Sequence, residues 1–423
     1  MPEKGMRILF LTPAFPPFAG GGERFAGSLA KNLIALGHQV TVLTSQAQSE
    51  AELWLGSSKS SRIEGNEDGV RIIRCPIAGM PGKWPGLTFW RKAMVLVSGL
   101  PGDQSPLLFS MTRYIPPISG LEEQISELGG DFDLIHAFNI SWEHPMAIAW
   151  REASHRHKPL IITPFVHLGS AKGDRVARNS TMDHQRRMLA DAQAVLALTD
   201  IEKQGLVEYG IAPDQIAVIG SGLDPLPTFA APESTRAHFR LTKPFALFIG
   251  RLNKDKGAID AARATLKLIS QGSDICLTLV GRISKEFEDY YQGLTKEEKQ
   301  QIRLLGTISE SEKHGLLEAC QMLLLPSRTD SFGIVLLEAW AHGKPVIGAR
   351  AGGIPGVIED GKTGFLVEYG DVSALSERMN QLLINKKISG SMGEAGRLLV
   401  EKKYTWGKVT SQVVDSYQRV LVK

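Results

Sequence analysis

The feature that most constrains this 423-residue chain is a repeated grammar. A short apolar run with strand character, a loop and an apolar stripe at helical spacing occur in succession, and the pattern restarts after a proline-rich stretch. The first instance is Arg7-Ile-Leu-Phe-Leu-Thr12, a loop, and a helical pattern over 23–36 in which Phe25, Leu29, Leu33 and Leu36 recur three or four residues apart. Gly37 follows where a C-terminal cap is expected. A second apolar run at 39–44 completes a βα unit entering a parallel sheet. Further strands are expected at 70–74, 134–137, 160–163, 195–199 and 216–219, and the sheet reads as doubly wound.

The stretch from Asp224 to about Lys243 holds Pro225, Pro227 and Pro232, which argue against regular structure. Beyond it the pattern resumes, with strands expected at 245–250, 275–281, 302–305, 322–326 and 345–349. Helices fill most gaps, one starting at the capping box Ser309-Glu-Ser-Glu312 and another at Asp371. A chain of this length is too long for one ordinary core. The expected fold is therefore α/β with two Rossmann-like domains of parallel sheet, residues 1–222 and 223–405, followed by a terminal helix at 406–423. Ligands of such sheets lie beyond the carboxyl ends of the strands, so an interdomain cleft is the expected site.

Composition narrows the class. Cys75, Cys276 and Cys320 stand far apart, with neither disulfide nor metal-ligand spacing, and read as small core residues in a reducing compartment. No stretch resembles a secretory signal, and no apolar run approaches the roughly 20 residues of a membrane span, so a cytoplasmic protein is expected. Residues 1–222 hold 21 Lys/Arg against 22 Asp/Glu, net −1, and the remainder 27 against 23, net +4. Neither half concentrates the basic charge of a nucleic-acid binder.

Candidate chemistry sits in the loops. Gly20-Gly21-Gly22 precedes the first helix, where bare amides and a helix N-terminus suit a phosphate. A dinucleotide fingerprint fails, because Phe25 stands where a third glycine belongs and the second strand ends without an acid. Gly250-Arg251 to Lys256-Gly257 leaves the first strand of the second domain, and its two cations suit a diphosphate. Asp330-Ser-Phe332-Gly333-Ile334-Val-Leu-Leu-Glu338 places two acids eight positions apart, one in a loop and one on an apolar helix. A carboxylate among Val335, Leu336, Leu337, Ala339 and Trp340 needs a partner, and sugar or ribose hydroxyls would serve. Gly352-Gly353-Ile-Pro355 supplies another glycine loop at a strand end. Asp131-Phe-Asp133 spells a metal-binding DxD, but it precedes its strand, so no metal is expected there.

Together these segments resemble the large retaining glycosyltransferase family 4, whose members have the GT-B fold of two facing Rossmann-like domains. The resemblance spans Gly37-His38-Gln-Val-Thr-Val, Asp133-Leu-Ile-His136, Ser221-Gly-Leu-Asp224, Gly250-Arg251, Lys256-Gly257, the acid pair, Gly361-Lys-Thr-Gly364 and Tyr404-Thr-Trp406. It implies that the last helix crosses back onto the first domain. It further implies a metal-independent, retaining transfer of a hexose-type sugar, with UDP the commoner donor base and no cofactor, to a glycan, small-molecule or lipid-linked acceptor. Arg251 and Lys256 would hold the diphosphate, Glu338 the ribose, and Asp330 the transferred sugar. His167, after the strand at 160–163, resembles the first-domain histidine near that sugar. Gly21, Gly22, Gly250, Phe332, Gly333 and Ile334 complete the expected donor site. Asp330 stands where the family usually has Glu, which sets its carboxylate back by one methylene, and Gly356 where it often has Glu. One residue and one segment outside this core set are also of interest. His136 closes a strand and is a cleft-lining candidate. The insertion from Pro76 to Pro117, with Trp84, Phe89, Trp90, Phe109 and Tyr114 among Lys83, Arg91 and Lys92, suits a lid, an acceptor platform, a shallow membrane contact or ordinary packing. Competing readings are a sucrose- or trehalose-type synthase, a nucleotide-sugar epimerase, and a non-catalytic sugar-nucleotide-binding subunit.

Overall fold

The computed structural model describes residues 5–18, 20–56, 61–170 and 174–422, apart from the side chains of Trp84 and Arg175. Two compact units result: Met1–Val166, Arg175–Gly222 and Trp406–Lys423 form one, and His167–Asp174 with Leu223–Thr405 form the other.

The first unit holds strands β1 (Arg7–Leu11), β2 (Gln39–Ser45), β3 (Ile63–Glu67), β4 (Val70–Cys75), β5 (Leu134–Phe138), β6 (Leu160–Thr163), β7 (Ala194–Ala197) and β8 (Ile216–Val218). They lie in the order β3-β4-β2-β1-β5-β6-β7-β8, parallel except where β3 pairs back on β4. The apolar runs form these strands because both sheet faces are covered, as the wholly buried Leu134–Phe138 illustrates. β3 was not expected, since every residue of Ile63–Glu67 is exposed and only its hairpin with β4 makes it a strand. The first helix runs Gly21–Ala35 and buries Phe25, Leu29 and Leu33 as its spacing requires. The last helix, Trp406–Val422, packs on it, with Trp406 against Phe25 at 5.4 Å.

The second unit holds β9 (Phe245–Ile249), β10 (Cys276–Val280), β11 (Ile302–Gly306), β12 (Met322–Leu325), β13 (Val346–Ala349) and β14 (Gly364–Val367) in the all-parallel order β11-β10-β9-β12-β13-β14. The helix at Glu310–Ala319 begins at Ser309 with the reciprocal capping bonds its sequence spells, and Asp371 caps the helix Val372–Ile384. The proline-rich stretch is corrected: it contains a helix, Pro232–His238, because Pro232 occupies the first helical position, where a missing N–H costs nothing. All three cysteines are buried and free. No helix among the described residues is long and apolar enough to cross a membrane.

Candidate functional site

In the second unit the strand order reverses direction between β9 and β12, so the loops leaving these neighbouring strands part and open a crevice at their carboxyl ends. The loop after β9 carries Arg251 and Lys256, and the loop after β12 carries Asp330. Although 74 residues apart in sequence, the Lys256 ammonium donates to Asp330 Oδ1 at 2.9 Å.

Three further contacts fix these loops. Arg328 donates to Asp255 Oδ1 through Nε at 2.9 Å and Nη2 at 2.6 Å, tying the β12 loop to the β9 loop. Gly257 adopts a φ of +78°, and a Cβ there would lie 2.1 Å from the Pro326 carbonyl oxygen. Gly353 donates its N–H to the Asp330 carbonyl at 2.8 Å, and a Cβ on it would fall 1.8 Å from the Ser331 carbonyl oxygen. The glycines at 352 and 353 therefore serve close backbone approach beneath Asp330.

His167 belongs to the short segment that groups with this unit, and Lys256, Asp330 and Arg251 all act on its ring. Burial pushes its pKa down to about 4, the two cations push the same way and Asp330 opposes them, so the imidazole is neutral at pH 7. Burial works to raise the Asp330 pKa, but the Lys256 ammonium outweighs it and holds the carboxyl below its ordinary range. Asp330 Oδ2 and His167 Nδ1 are both buried and have no hydrogen-bond partner among the described residues. A buried polar atom left unpaired costs about 1–3 kcal/mol, so this cluster is prepared for a polar ligand.

The rest of the acid motif follows. The Phe332 ring is buried edge-on against Tyr404 at 5.4 Å, which leaves only its main chain for a ligand. Gly333, at a φ of +85°, opens the helix Ile334–Ala341 without a side-chain cap, so the amides of Ile334 and Val335 begin unpaired by the helix, while Leu336 N–H donates to the Gly333 carbonyl at 2.9 Å. Glu338 is buried on this helix and its Oε1 accepts from Lys313 at 2.7 Å. Lys313 was missed: its segment reads only as a capping box, and nothing in the sequence joins it to a residue 25 positions on. The Asp255–Arg328 tie was missed for the same reason. Glu310, His314 and Glu338 offer ligand atoms within 4.8 Å of one another, the only such group found among the described residues, but the Lys313 ammonium lies on both carboxylates.

In the first unit Gly21 and Gly22 open the helix Gly21–Ala35, and a Cβ on Gly22 would press on the Phe165 ring at 3.0 Å. His136 requires correction: it is wholly buried, bonded to the Tyr417 hydroxyl at 2.6 Å and the Thr163 hydroxyl at 2.8 Å, and burial pushes its pKa down to about 3. It is a core histidine, because the side chain of a central strand points into the layer covered by the last helix. Asp131 and Asp133 both pair with the Arg7 guanidinium, and Asp133 also accepts the Arg7 N–H at 2.8 Å. The insertion packs one face inward through Met80, Leu87, Met94 and Leu108, while Arg91 reaches the buried Glu143 and the Ser141 carbonyl. The side chain of Trp84 lies outside the described residues.

A model of the glycosyl transferase 4-like domain matches residues 20–222, and a model of group 1 glycosyl transferases matches residues 232–399. A D-inositol 3-phosphate glycosyltransferase of Corynebacterium aurimucosum is 29% identical over 314 residues, which cover 68% of this chain and 74% of that protein. Among solved structures, a sucrose-phosphate synthase from Thermosynechococcus elongatus superimposes with a TM-score of 0.75 over 99% of both chains at 19% identity. Anabaena HepE, solved in complex with UDP, does so at 0.68 over 98% of this chain and 100% of its own, at 18% identity. With the two models matched in order along one chain and both parallel-sheet units in place, the protein belongs to the family-4-type glycosyltransferases of GT-B fold.

Proposed function

We propose that this glycosyltransferase is retaining and metal-independent, and moves a hexose-type sugar from a nucleoside diphosphate, with uracil as the base, onto a sugar or lipid-linked acceptor. The observation that carries the reading is the Lys256–Asp330–His167 cluster with its two orphaned buried atoms, Asp330 Oδ2 and His167 Nδ1. One is an acceptor suited to a sugar hydroxyl. The other belongs to a neutral ring able to take or give a single hydrogen bond. The UDP, UDP-with-glucose and UDP-glucose complexes of HepE support the choice of base and of sugar class.

Cleavage of a glycosyl–phosphate bond builds negative charge on the leaving diphosphate while the sugar becomes oxocarbenium-like, so preorganised positive potential is what the site must supply. Arg251, Lys256 and the open amides at Gly333–Ile334 are assigned that task. Lys256 then exchanges its Asp330 partner, wholly or in part, for donor oxygens, and Asp330 is released toward the sugar. Retention follows from same-face attack, in which a donor phosphate oxygen helps remove the acceptor proton. Glu338 is assigned to the ribose. A panel of nucleotide sugars tested for transfer or hydrolysis, with EDTA present and the anomeric configuration followed by NMR, checks each part. Inversion at the anomeric carbon, or turnover that EDTA abolishes, overturns the corresponding claim.

For the acceptor side we assign the outer face of the insertion to a membrane surface that presents a lipid-linked acceptor. On the helix Lys83–Ser98 and just beyond it, Phe89, Leu96 and Leu100 are 71%, 73% and 55% exposed.

A further inference from the structure

Glu338 is 5% exposed and surrounded by apolar neighbours, so its carboxylate needs a charged partner to hold it in place. The chain supplies one from the neighbouring helix Glu310–Ala319. Lys313 is 6% exposed, and its ammonium lies 2.7 Å from Glu338 Oε1 and 2.7 Å from Glu310 Oε2. The two contacts differ: Glu338 is buried, whereas the Glu310 side chain is 55% exposed. Glu310 therefore steers the lysine from the solvent side, and the lysine in turn fixes a carboxylate that is only slightly exposed. His314, one residue on, brings no competing charge, since burial and Lys313 push its pKa down to about 4. The ammonium thus fills the position in the Glu310–His314–Glu338 triangle that a cation would take.

We infer that Lys313 is a positioning residue for the donor ribose: it holds the Glu338 carboxylate in place to accept from the ribose diol, so ribose preference is set from the adjoining helix and not by Glu338 alone. The inference rests on the assignment of Glu338 to the ribose. A diol presents two O–H donors at fixed separation, and a carboxylate with one oxygen anchored keeps the orientation needed to meet them. A merely structural ion pair behaves differently. Replacement of a buried ion-pair member by an apolar residue of similar size alters stability without changing which ligand is preferred.

The test is binding of UDP, ADP and GDP by the full chain, each beside its 2′,3′-dideoxy counterpart, for wild type, Lys313→Met and Lys313→Arg. The wild type is expected to hold the ribose form of its preferred nucleotide roughly tenfold or more tighter than the dideoxy form, the worth of a hydrogen bond to a charged group. Lys313→Met is expected to lose that preference with its affinity for the dideoxy form unchanged, and Lys313→Arg to keep it. Donor KM rises in Lys313→Met while kcat at saturation holds. A folded Lys313→Met protein that retains the full ribose preference overturns the inference and leaves the Glu338 assignment standing. A wild type that binds nucleotide with no ribose preference overturns the Glu338 assignment and the inference with it. If Lys313→Met fails to fold, Lys313→Met combined with Glu338→Gln leaves no buried charge unpaired. In that background the lysine substitution is expected to add nothing to the loss caused by Glu338→Gln, and a further loss for ribose and dideoxy forms alike overturns the inference.

Discussion

Lys256 and Asp330 neutralise each other, so an arriving diphosphate competes for an ammonium already engaged at 2.9 Å. Lys256→Met is expected to lower turnover about 10²–10³-fold, the usual worth of one group that stabilises developing charge. Steady-state rates on the best donor check it, and undiminished turnover sinks the assignment. Because the substitution strands a buried carboxylate, Lys256→Met with Asp330→Asn is the control for lost stability. The types and loop positions of these residues were legible in the sequence, since cations and acids after strand ends face the crevice of a doubly wound sheet. Their pairing was not, because it depends on β9 lying beside β12, which no local pattern encodes. Glu202 teaches the same lesson. Thr199-Asp-Ile-Glu202 spells a capping box, yet the carboxylate accepts from Val166 and Leu198 N–H, each at 2.7 Å. Burial raises its pKa to about 7 against those two bonds. A carboxyl raised on folding binds its proton more tightly in the native state. Its contribution to stability is therefore greatest below the ordinary carboxylate range and declines as pH rises through 7. Urea midpoints from pH 4.5 to 7.5 should show this decline in the wild type and a flatter profile in Glu202→Gln, and parallel profiles count against it.

At the scale of elements, most strands buried on both faces announced themselves as apolar runs, and the capping box at Ser309 placed its helix correctly. What stayed hidden lacks a signature of its own. β3 is a strand only through pairing with β4, and the helix Pro232–His238 sits behind the prolines that argued against it. The glycine loop after β13 was visible as a motif, but its purpose was not, because close backbone approach is a tertiary fact. Gly353→Ala puts its Cβ 1.8 Å from the Ser331 carbonyl oxygen, so the Asp330 loop must move away. The expected result is a loss of about 1–3 kcal/mol of stability, the usual cost of overpacking, together with a large loss of turnover. Gly361→Ala is the companion: its Cβ meets nothing within 4 Å, but its φ of +76° strains the backbone. It is expected to reduce melting temperature while turnover in the folded fraction persists. Equal turnover in both variants would show that the approach of Gly353 to the β12 loop does not support Asp330.

At the scale of the whole molecule, the outward stripe of the insertion decides between ordinary packing and a lipid surface. One face of the helix Lys83–Ser98 is accounted for by packing, since Leu87 and Met94 are buried and Arg91 is taken up by Glu143. Phe89, Lys92 and Leu96 recur on the opposite face, continue to Leu100, and face no core. Of the basic groups between residues 76 and 117, Arg91 is taken up by Glu143, which leaves Lys83, Lys92 and Arg113 exposed against the single acid Asp103, which lies 3.5 Å from Arg187. Apolar side chains interleaved with basic ones on an outward helix face suit shallow insertion at an anionic interface, where hydrophobic burial and electrostatic attraction add. A single patch of this size gives reversible attachment, weakened by salt because the basic groups are solvent-exposed. Flotation with vesicles of phosphatidylglycerol and phosphatidylcholine should carry a substantial fraction of the protein upward at low salt and much less at 0.5 M salt. Phe89→Ser with Leu96→Ser should abolish flotation without lowering turnover on a water-soluble acceptor, because both side chains point away from the packed face. Flotation that is indifferent to those substitutions places the contact elsewhere. Concentration-dependent dimerisation abolished by the same substitutions, with no flotation by the wild type, assigns the stripe to a second copy of the chain.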